Sequence, residues 1–285
     1  MAHPWNVGGN LLPCSPVPLI MGIVNATPDS FFDGGKYNQL NDAFLHAQKL
    51  LDEGAQILDI GGESSRPGST PVSAEEEMER VCPLIEKLSK LASQRHFYIS
   101  VDTVKATVAK EAVGCGAHII NDISACTIDP NMMETVKHTN ASVVLNHMRG
   151  NLGTMQQDFK PYQNVVAETR QELLAKAQKL LDLGVEKSKI CLDPGIGFGK
   201  SAQNNIDLIK SIEDFTQDGY PILVGSSRKS YIGKIQGLTT SNRLIPTVVA
   251  GVMVALGGAS VLRVHDVQEA RESLAYLEAL KNGSV

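Results

Sequence analysis

One local pattern recurs along the chain and limits its fold more than any other feature. A helix ends, a glycine follows, and a short apolar strand then closes on a polar or charged residue. LLDEGAQILDIGG, EAVGCGAHIINDIS, LLDLGVEKSKICLDPG and VALGGASVLRVHD are four copies of this unit. Read in order, apolar strands fall at 19–24, 56–60, 97–101, 118–120, 142–146, 190–192, 221–224 and 260–263. Between them lie segments with apolar residues three and four apart, the spacing of one helix face. Met78, Val81, Ile85, Leu88 and Ala92 make such a face behind a Ser73/Glu76 capping box, with a kink expected at Pro83. Asn41, Asp129 before Pro130, and Asp266 with Glu269 are expected to cap three further helices. Strands alternating with helices pair in parallel through right-handed crossovers. Eight such units in 285 residues, with no Pro/Gly/Ser-rich linker, predict one α/β domain. A TIM (β/α)8 barrel fits this better than an open doubly wound sheet. Residues 1–18 precede the first strand, as an N-terminal extension expected to cover the bottom of the barrel.

Charge and cysteine usage narrow the function. The net charge of −5 gives no support to a nucleic-acid or membrane-surface role, so an anionic ligand needs a local basic cluster. The five cysteines are scattered and lack C-x-x-C spacing, as expected of reduced thiols and not of a disulfide framework or a zinc site. The apolar run at 11–24 is interrupted by Pro13, Pro16 and Pro18 and is too short to span a bilayer. A soluble, cytoplasmic protein is expected.

In a barrel of this type the C-terminal strand ends share one face, where active sites sit. Here those ends supply Asn25, Asp102, Asn121, His147, Asp193, Lys229, Arg263 and His265. Taken singly, each has a plain structural reading. Asp102 and Asn121 would cap the helices after them, and His147 would be a packed core histidine. Asp193-Pro-Gly195 would be an ordinary turn, because Asp, Pro and Gly are turn formers. Taken together they divide into two chemical halves. Asp102, Asn121 and Asp193 suit a flat neutral ligand rich in N–H donors. Asn25, Arg263 and His265 suit a diphosphate, with Arg263 and His265 placed on one side by strand alternation. Arg228 and Lys229 stand at the start of an expected helix, where the macrodipole disfavours cations, so a ligand site accounts for them better than helix stability does. Ser230 with neighbouring backbone N–H groups suits a carboxylate. Phe198 and Met148 are expected as apolar walls.

NATPDSF at 25–31, ESSRPG at 63–68, SVDT at 100–103, ND at 121–122, DPGIGFGK at 193–200, SRKSYIG at 227–233 and RVHDV at 263–267 stand together in one chain. This set resembles the dihydropteroate synthases of the bacterial folate pathway, from residue 19 to residue 274. The resemblance implies condensation of para-aminobenzoate with a hydroxymethyl-dihydropterin diphosphate, Mg²⁺ as cofactor, a homodimer, and membership of the family that sulfonamides target. It implies that Asp102, Asn121, Asp193, Lys229, Arg263, Met148 and Phe198 hold the pterin. Asn25, Arg263 and His265 would hold the diphosphate, with Asn25 near the metal. Phe31, Asp33, Ser65, Arg66, Pro67 and Ser230 would belong to the aminobenzoate pocket and to two mobile loops, 25–35 and 61–70. Phe32, Ser65, Asn146 and Leu152 depart from the family pattern and put loop behaviour and sulfonamide affinity in question. A pterin-binding methyltransferase barrel shares the acids and the amide but has no use for a diphosphate pocket. A catalytically silent pterin-binding paralogue would not need intact Arg66, Lys229, Arg263 and His265. A sugar-phosphate isomerase barrel would need an acid/base pair that no strand end offers.

Overall fold

A computed structural model of the protein describes residues 3–12, 17–27, 36–64, 70–150, 161–235 and 243–283. Alternation along the strands sorts their side chains between two environments. β3 (Leu19–Asn25), β4 (Ile57–Gly61), β5 (Tyr98–Asp102), β6 (Ile119–Asp122), β7 (Ser142–Asn146), β8 (Ile190–Asp193), β9 (Leu223–Val224) and β10 (Val261–Val264) form one parallel sheet. Its order is β8-β7-β6-β5-β4-β3-β10-β9. A bridge between Leu192 and Ile222 joins β8 to the start of β9, with Leu192 N donating to Pro221 O at 3.0 Å, and closes the barrel. The fold is a TIM barrel, as the repeated unit predicts.

Outward-facing strand residues such as Leu58, Ile60, Ile99, Val101, Val143 and Leu145 belong to the large cluster between sheet and helices. That layer is completed by α1 (Lys36–Glu53), α2 (Ala74–Ala92), α3 (Ala106–Gly114), α4 (Met132–Thr139), α5 (Val165–Asp182), α6 (Ala202–Lys210), α7 (Ile212–Thr216), α8 (Leu244–Leu256) and α9 (Val267–Asn282). Inward-facing Met21, Ile57, Ile119, Val144, Cys191, Leu223 and Val261 form a separate apolar plug near the strand starts. A hairpin of β1 (Trp5–Val7) and β2 (Asn10–Leu12) adds Trp5 and Val7 to this plug, and Trp5 Nε1 donates to Lys189 O at 3.2 Å.

Ser73 caps α2 as expected, its Oγ accepting from Glu76 N at 3.1 Å. Pro83 lies inside α2, which continues unbroken through it. Three other expected caps differ. Asn41 lies inside α1, which starts at Lys36, and its Oδ1 accepts from Lys87 Nζ at 2.9 Å. Asp129 accepts from Ala106 N at 2.8 Å, so it caps α3 from across the layer, while α4 begins at Met132. Asp266 stands at the N-cap of α9 without capping it, because the Arg228 guanidinium takes its carboxylate. A charged fork outcompetes a single backbone N–H for an acid. Among the described residues, no helix is long and apolar enough to cross a membrane.

Candidate active site

The residue two positions beyond each member of the apolar plug faces the same way. These residues are mostly polar: Asp59, Asn121, Asn146, Asp193 and Arg263, with Ser100 opposite Asp59 in the register. Polar side chains thus replace the apolar residues that usually fill a barrel at this depth. Strand register also brings Asn25, Gly61, Asp102 and Asn121 side by side around the rim, as successive Cα partners of β3, β4, β5 and β6.

Above this layer opens a cleft of about 540 Å³. Asn25, Asp102, Phe198, Lys229, Ser230, Arg263 and His265 all line it, which unites most of those sequence-predicted positions that fall among the described residues. Asn121 and Asp193 are buried at 2 % and 5 % exposure, below the cleft's lining. Met148 packs against the Ile123–Phe198 pair and supports the wall that Phe198 presents. Phe31, Asp33, Ser65, Arg66 and Pro67 lie outside the described residues, as do Phe32 and Leu152. Asn146 is buried and donates from Nδ2 to Ile123 O at 2.8 Å, bracing the turn after β6.

Arg263 is the hub. Its Nε donates to Asp59 Oδ2 and its Nη2 to Asp102 Oδ2, both at 2.6 Å. Asn121 Nδ2 also donates to Asp59 Oδ2, at 3.0 Å. That bond turns the Asn121 carbonyl away from Asp59 and leaves one N–H free. Burial works against the Arg263 charge, but Asp59 and Asp102 outweigh it and raise its pKa. Asp59, with no exposed surface, is a site residue that the strand-end reading misses. The signal was present: an acid in the middle of the apolar run Ile57-Leu-Asp-Ile60 faces inward with Ile57, and a buried acid needs a partner.

The acids are held near their ionisation points. Burial raises Asp102 to about 7, against the pull of Arg263 and with a further push from Asp59. Burial raises Asp193 to about 6, opposed by the Gly195 N–H and by Lys229, Arg263 and Lys200. Burial lowers Lys229 to about 8, helped by Arg263 and opposed by Asp193 and Asp102. Lys229 Nζ lies 4.0 Å from the centroid of the Phe198 ring, a cation–π contact.

At the anion-suited end, burial first and then Arg263 and Arg228 lower His265 to about 4. Ser227 Oγ accepts from His265 N at 3.2 Å and lies 3.0 Å from Nδ1, so its hydroxyl proton is free to reach that nitrogen. The ring then carries its own proton on Nε2, a neutral donor. Arg228 does not stand free, being paired with Asp266. The expected helix after Lys229 is a five-residue 3-10 turn, Ser230–Lys234, so the macrodipole there is small. Two further charged residues line the cleft unforeseen. Arg243 donates from Nη1 to Arg228 O at 2.8 Å, and Glu63 is held by Lys105, which also bonds the buried Glu77.

Comparison with known proteins agrees with this geometry. Residues 21–265 match the family of pterin-binding enzymes. The dihydropteroate synthase of Escherichia coli strain K12 is 43 % identical over 92 % of this chain and 91 % of its own. The Xanthomonas albilineans dihydropteroate synthase, solved with 4-aminobenzoic acid, superposes with a TM-score of 0.89 at 39 % identity, covering 99 % of each chain. The Burkholderia cenocepacia dihydropteroate synthase, solved with 7,8-dihydropteroate, gives a TM-score of 0.88 at 38 % identity over 99 % of this chain and 98 % of that one. With a two-halved site at the C-terminal mouth of the barrel and likeness over nearly its whole length, the chain belongs to the pterin-binding enzymes and, among them, to the dihydropteroate synthases.

Proposed function

We infer that the protein condenses para-aminobenzoate with (7,8-dihydropterin-6-yl)methyl diphosphate, giving dihydropteroate and diphosphate. The observation that carries this reading is the split character of one cleft. Asp102 lines it, with Asn121 and Asp193 buried below, and Asn25, Arg263 and His265 line the same cleft. A ligand with a donor-rich heterocycle at one end and an anion at the other uses both.

The chemistry follows from the groups. The methylene–oxygen bond to diphosphate breaks beside an electron-rich ring, which leaves a stabilised cation. The aromatic amine then forms the new carbon–nitrogen bond and releases a proton. Asp102 and Asp193 face the growing positive charge. Pterin N–H donors also favour their ionised forms, offsetting the burial that raises their pKa. Arg263 and the neutral Nε2–H of His265 donate to the departing anion. The aromatic amine is a weak base, so the anilinium formed at the methylene carbon gives up its proton readily and no strong general base is required. Phe198 and Ser230 are proposed, with Phe31, Asp33, Ser65, Arg66 and Pro67, for the aminobenzoate pocket and the loops over it. Sulfonamides, which share its shape, would compete there.

Mg²⁺ is proposed as cofactor. Among the described residues no three His, Cys, Asp or Glu side chains gather to hold a metal ion. Asn25 lines the cleft beside His265 and offers one amide oxygen. This donor set fits an ion that keeps several waters and is carried largely by substrate phosphates. Bound there, Mg²⁺ would neutralise charge on the departing diphosphate.

A homodimer is also proposed. Ile245, Val249, Met253 and Leu256 are 44–68 % exposed on α8 and recur at one helix face, an apolar stripe that supports an interface. A cytoplasmic location is proposed with these assignments; the free thiols Cys82, Cys115, Cys126 and Cys191 support it.

The deciding experiment mixes purified protein with the dihydropterin diphosphate, para-aminobenzoate and Mg²⁺ and follows diphosphate release. Release that depends on the amine is expected. Release at the same rate without amine, or none at all, would sink the assignment.

A further inference from the structure

The DPGIGFGK motif ends on Lys200, which none of the roles above employs. Lys200 is 3 % exposed, and its Nζ is surrounded. Gly195 O lies at 2.9 Å, His147 Nδ1 at 3.0 Å, Phe198 O at 3.1 Å and His147 O at 3.2 Å. All four are acceptors. His147 Nε2 lies 3.0 Å from Glu172 Oε2 and donates to it, which leaves Nδ1 as the acceptor. A neutral amine would turn its lone pair toward one of these atoms, whereas an ammonium only donates. The geometry therefore selects the charged form, although burial pulls the Lys200 pKa down to about 7.

The bonds from Nζ tie the loop after β8 to the end of β7. The two backbones also touch. A Cβ on Gly195 would lie 1.8 Å from His147 O, and one on Gly199 would lie 2.1 Å from Arg149 O. Asn205, fully buried on α6, accepts from Gly197 N at 2.6 Å and braces the loop from the other side. Between these ties sit two groups of the pterin half. Asp193 Oδ1 accepts from Gly195 N at 2.7 Å, and the Phe198 ring lies under Lys229.

We propose that Lys200 is a positioning residue for the pterin half of the site: its ammonium pins loop 195–199 to the end of β7 and so fixes the Asp193 carboxylate and the Phe198 ring. The proposal rests on the reading that this half receives the pterin. Lys200 also acts through charge. It lowers the Asp193 pKa together with Lys229 and Arg263, while Asp193 and Glu172 favour the Lys200 charge and Lys229 and Arg149 oppose it.

The test is Lys200→Met, which keeps the length of the side chain and removes every donor. Affinity for 6-hydroxymethylpterin and for inorganic diphosphate is measured by calorimetry on wild type and variant. Pterin affinity is expected to fall about tenfold or more, the scale of a lost charged hydrogen bond, with diphosphate affinity within about threefold of wild type. The acid limb of the pterin-affinity profile should move to higher pH, because Asp193 loses a neighbouring cation. Asp193→Asn combined with Lys200→Met should lose less than the sum of the two single losses, since Lys200 acts in part through Asp193. Equal losses for pterin and diphosphate, or additive losses in the double variant, would reduce Lys200 to general support of the fold and overturn the proposal. Should Lys200→Met fail to fold, Glu172→Gln, at the partly exposed end of the Glu172–His147–Lys200 hydrogen-bond chain, is tested for pterin affinity and amide exchange. Faster amide exchange confined to 195–199, with weaker pterin binding, supports the proposal, and unchanged exchange overturns it. Wild-type protein that binds no pterin would overturn the functional reading first, and this inference with it.

Discussion

In the binding role proposed for Asp193 and Asp102, single residues trade stability for affinity. Both acids have pKa values raised by burial, to about 6 and about 7. The folded protein therefore binds these protons more tightly than the unfolded chain does. Their contribution to stability is full below the ordinary carboxylate range and is lost as pH rises through about 6 to 7. Ligand binding runs the opposite way, because a donor-rich pterin needs the ionised acceptors. Affinity for 6-hydroxymethylpterin should then weaken as pH falls from 7.5 toward about 5, a trend that calorimetry across this range would read directly. Asp193→Asn should lower that affinity by roughly 30-fold or more at pH 7.5, since one acceptor becomes a misplaced donor. The variant keeps an oxygen for the Gly195 N–H, so its melting temperature should not fall. A large fall in melting temperature would assign Asp193 to the fold instead. Arg263 is the converse case. Arg263→Ala leaves Asp59 buried without its cation, a loss of roughly 3–5 kcal/mol. Urea denaturation should show that loss, and the double variant Asp59→Asn/Arg263→Gln should recover most of it. Arg263→Ala should also weaken diphosphate-bearing ligands more than free pterin; equal losses in calorimetry would limit Arg263 to the pterin half.

At the scale of elements, the loop after β8 is the most constrained piece of backbone near the cleft. Gly195, Gly197 and Gly199 all have positive φ, at 70°, 85° and 64°. Their surroundings differ. Side chains on Gly195 and Gly199 would meet backbone carbonyls, while one on Gly197 would meet the flexible Lys229 chain at 3.0 Å. Gly197→Ala should therefore cost about 1 kcal/mol, the left-handed penalty alone. Gly195→Ala and Gly199→Ala should cost clearly more and abolish pterin binding; a flat series in urea denaturation would contradict this ordering. The sequence disclosed this loop as a turn that carries an acid; strand-end position brought Asp102, Arg263 and His265 to one mouth, and alternation put the last two on one side. It did not disclose which partners the capping residues choose. Asp129 and Asp266 have the composition of caps for their own helices, but one reaches across to α3 and the other is claimed by Arg228. Such competition is tertiary, so local pattern carries no trace of it. Asp59 differs from these: its inward aim followed from the strand period, and only attention to strand ends hid it.

At the scale of the molecule, the barrel is closed below and open above. The β1–β2 hairpin seals the lower end with Trp5 and Val7, so the apolar plug is shielded and the polar layer above it faces only the cleft. The eight strand–helix units made this architecture legible, because closing them into a barrel covers every strand and leaves no open sheet edge. What the repeat leaves undetermined is the outer surface of the helices. α8 is apolar nearly all round: Thr247, Ala250, Gly251 and Val254 face inward, and Ile245, Val249, Met253 and Leu256 face out. α9 packs beside it and exposes Tyr276 and Leu280. A helix that needs only one apolar face for its own barrel has no use for a second unless something covers it. In the proposed homodimer an isologous contact would place this stripe against itself about a two-fold axis. Charges at its centre would then be buried in pairs of like sign. Val249→Glu with Met253→Glu should convert a dimer to a monomer in sedimentation velocity, while the melting temperature of the monomeric barrel shifts little, because both side chains are exposed in the single chain. Two outcomes would remove the dimer from the description: a wild-type protein that sediments as a monomer at micromolar concentration, or a double variant that remains dimeric.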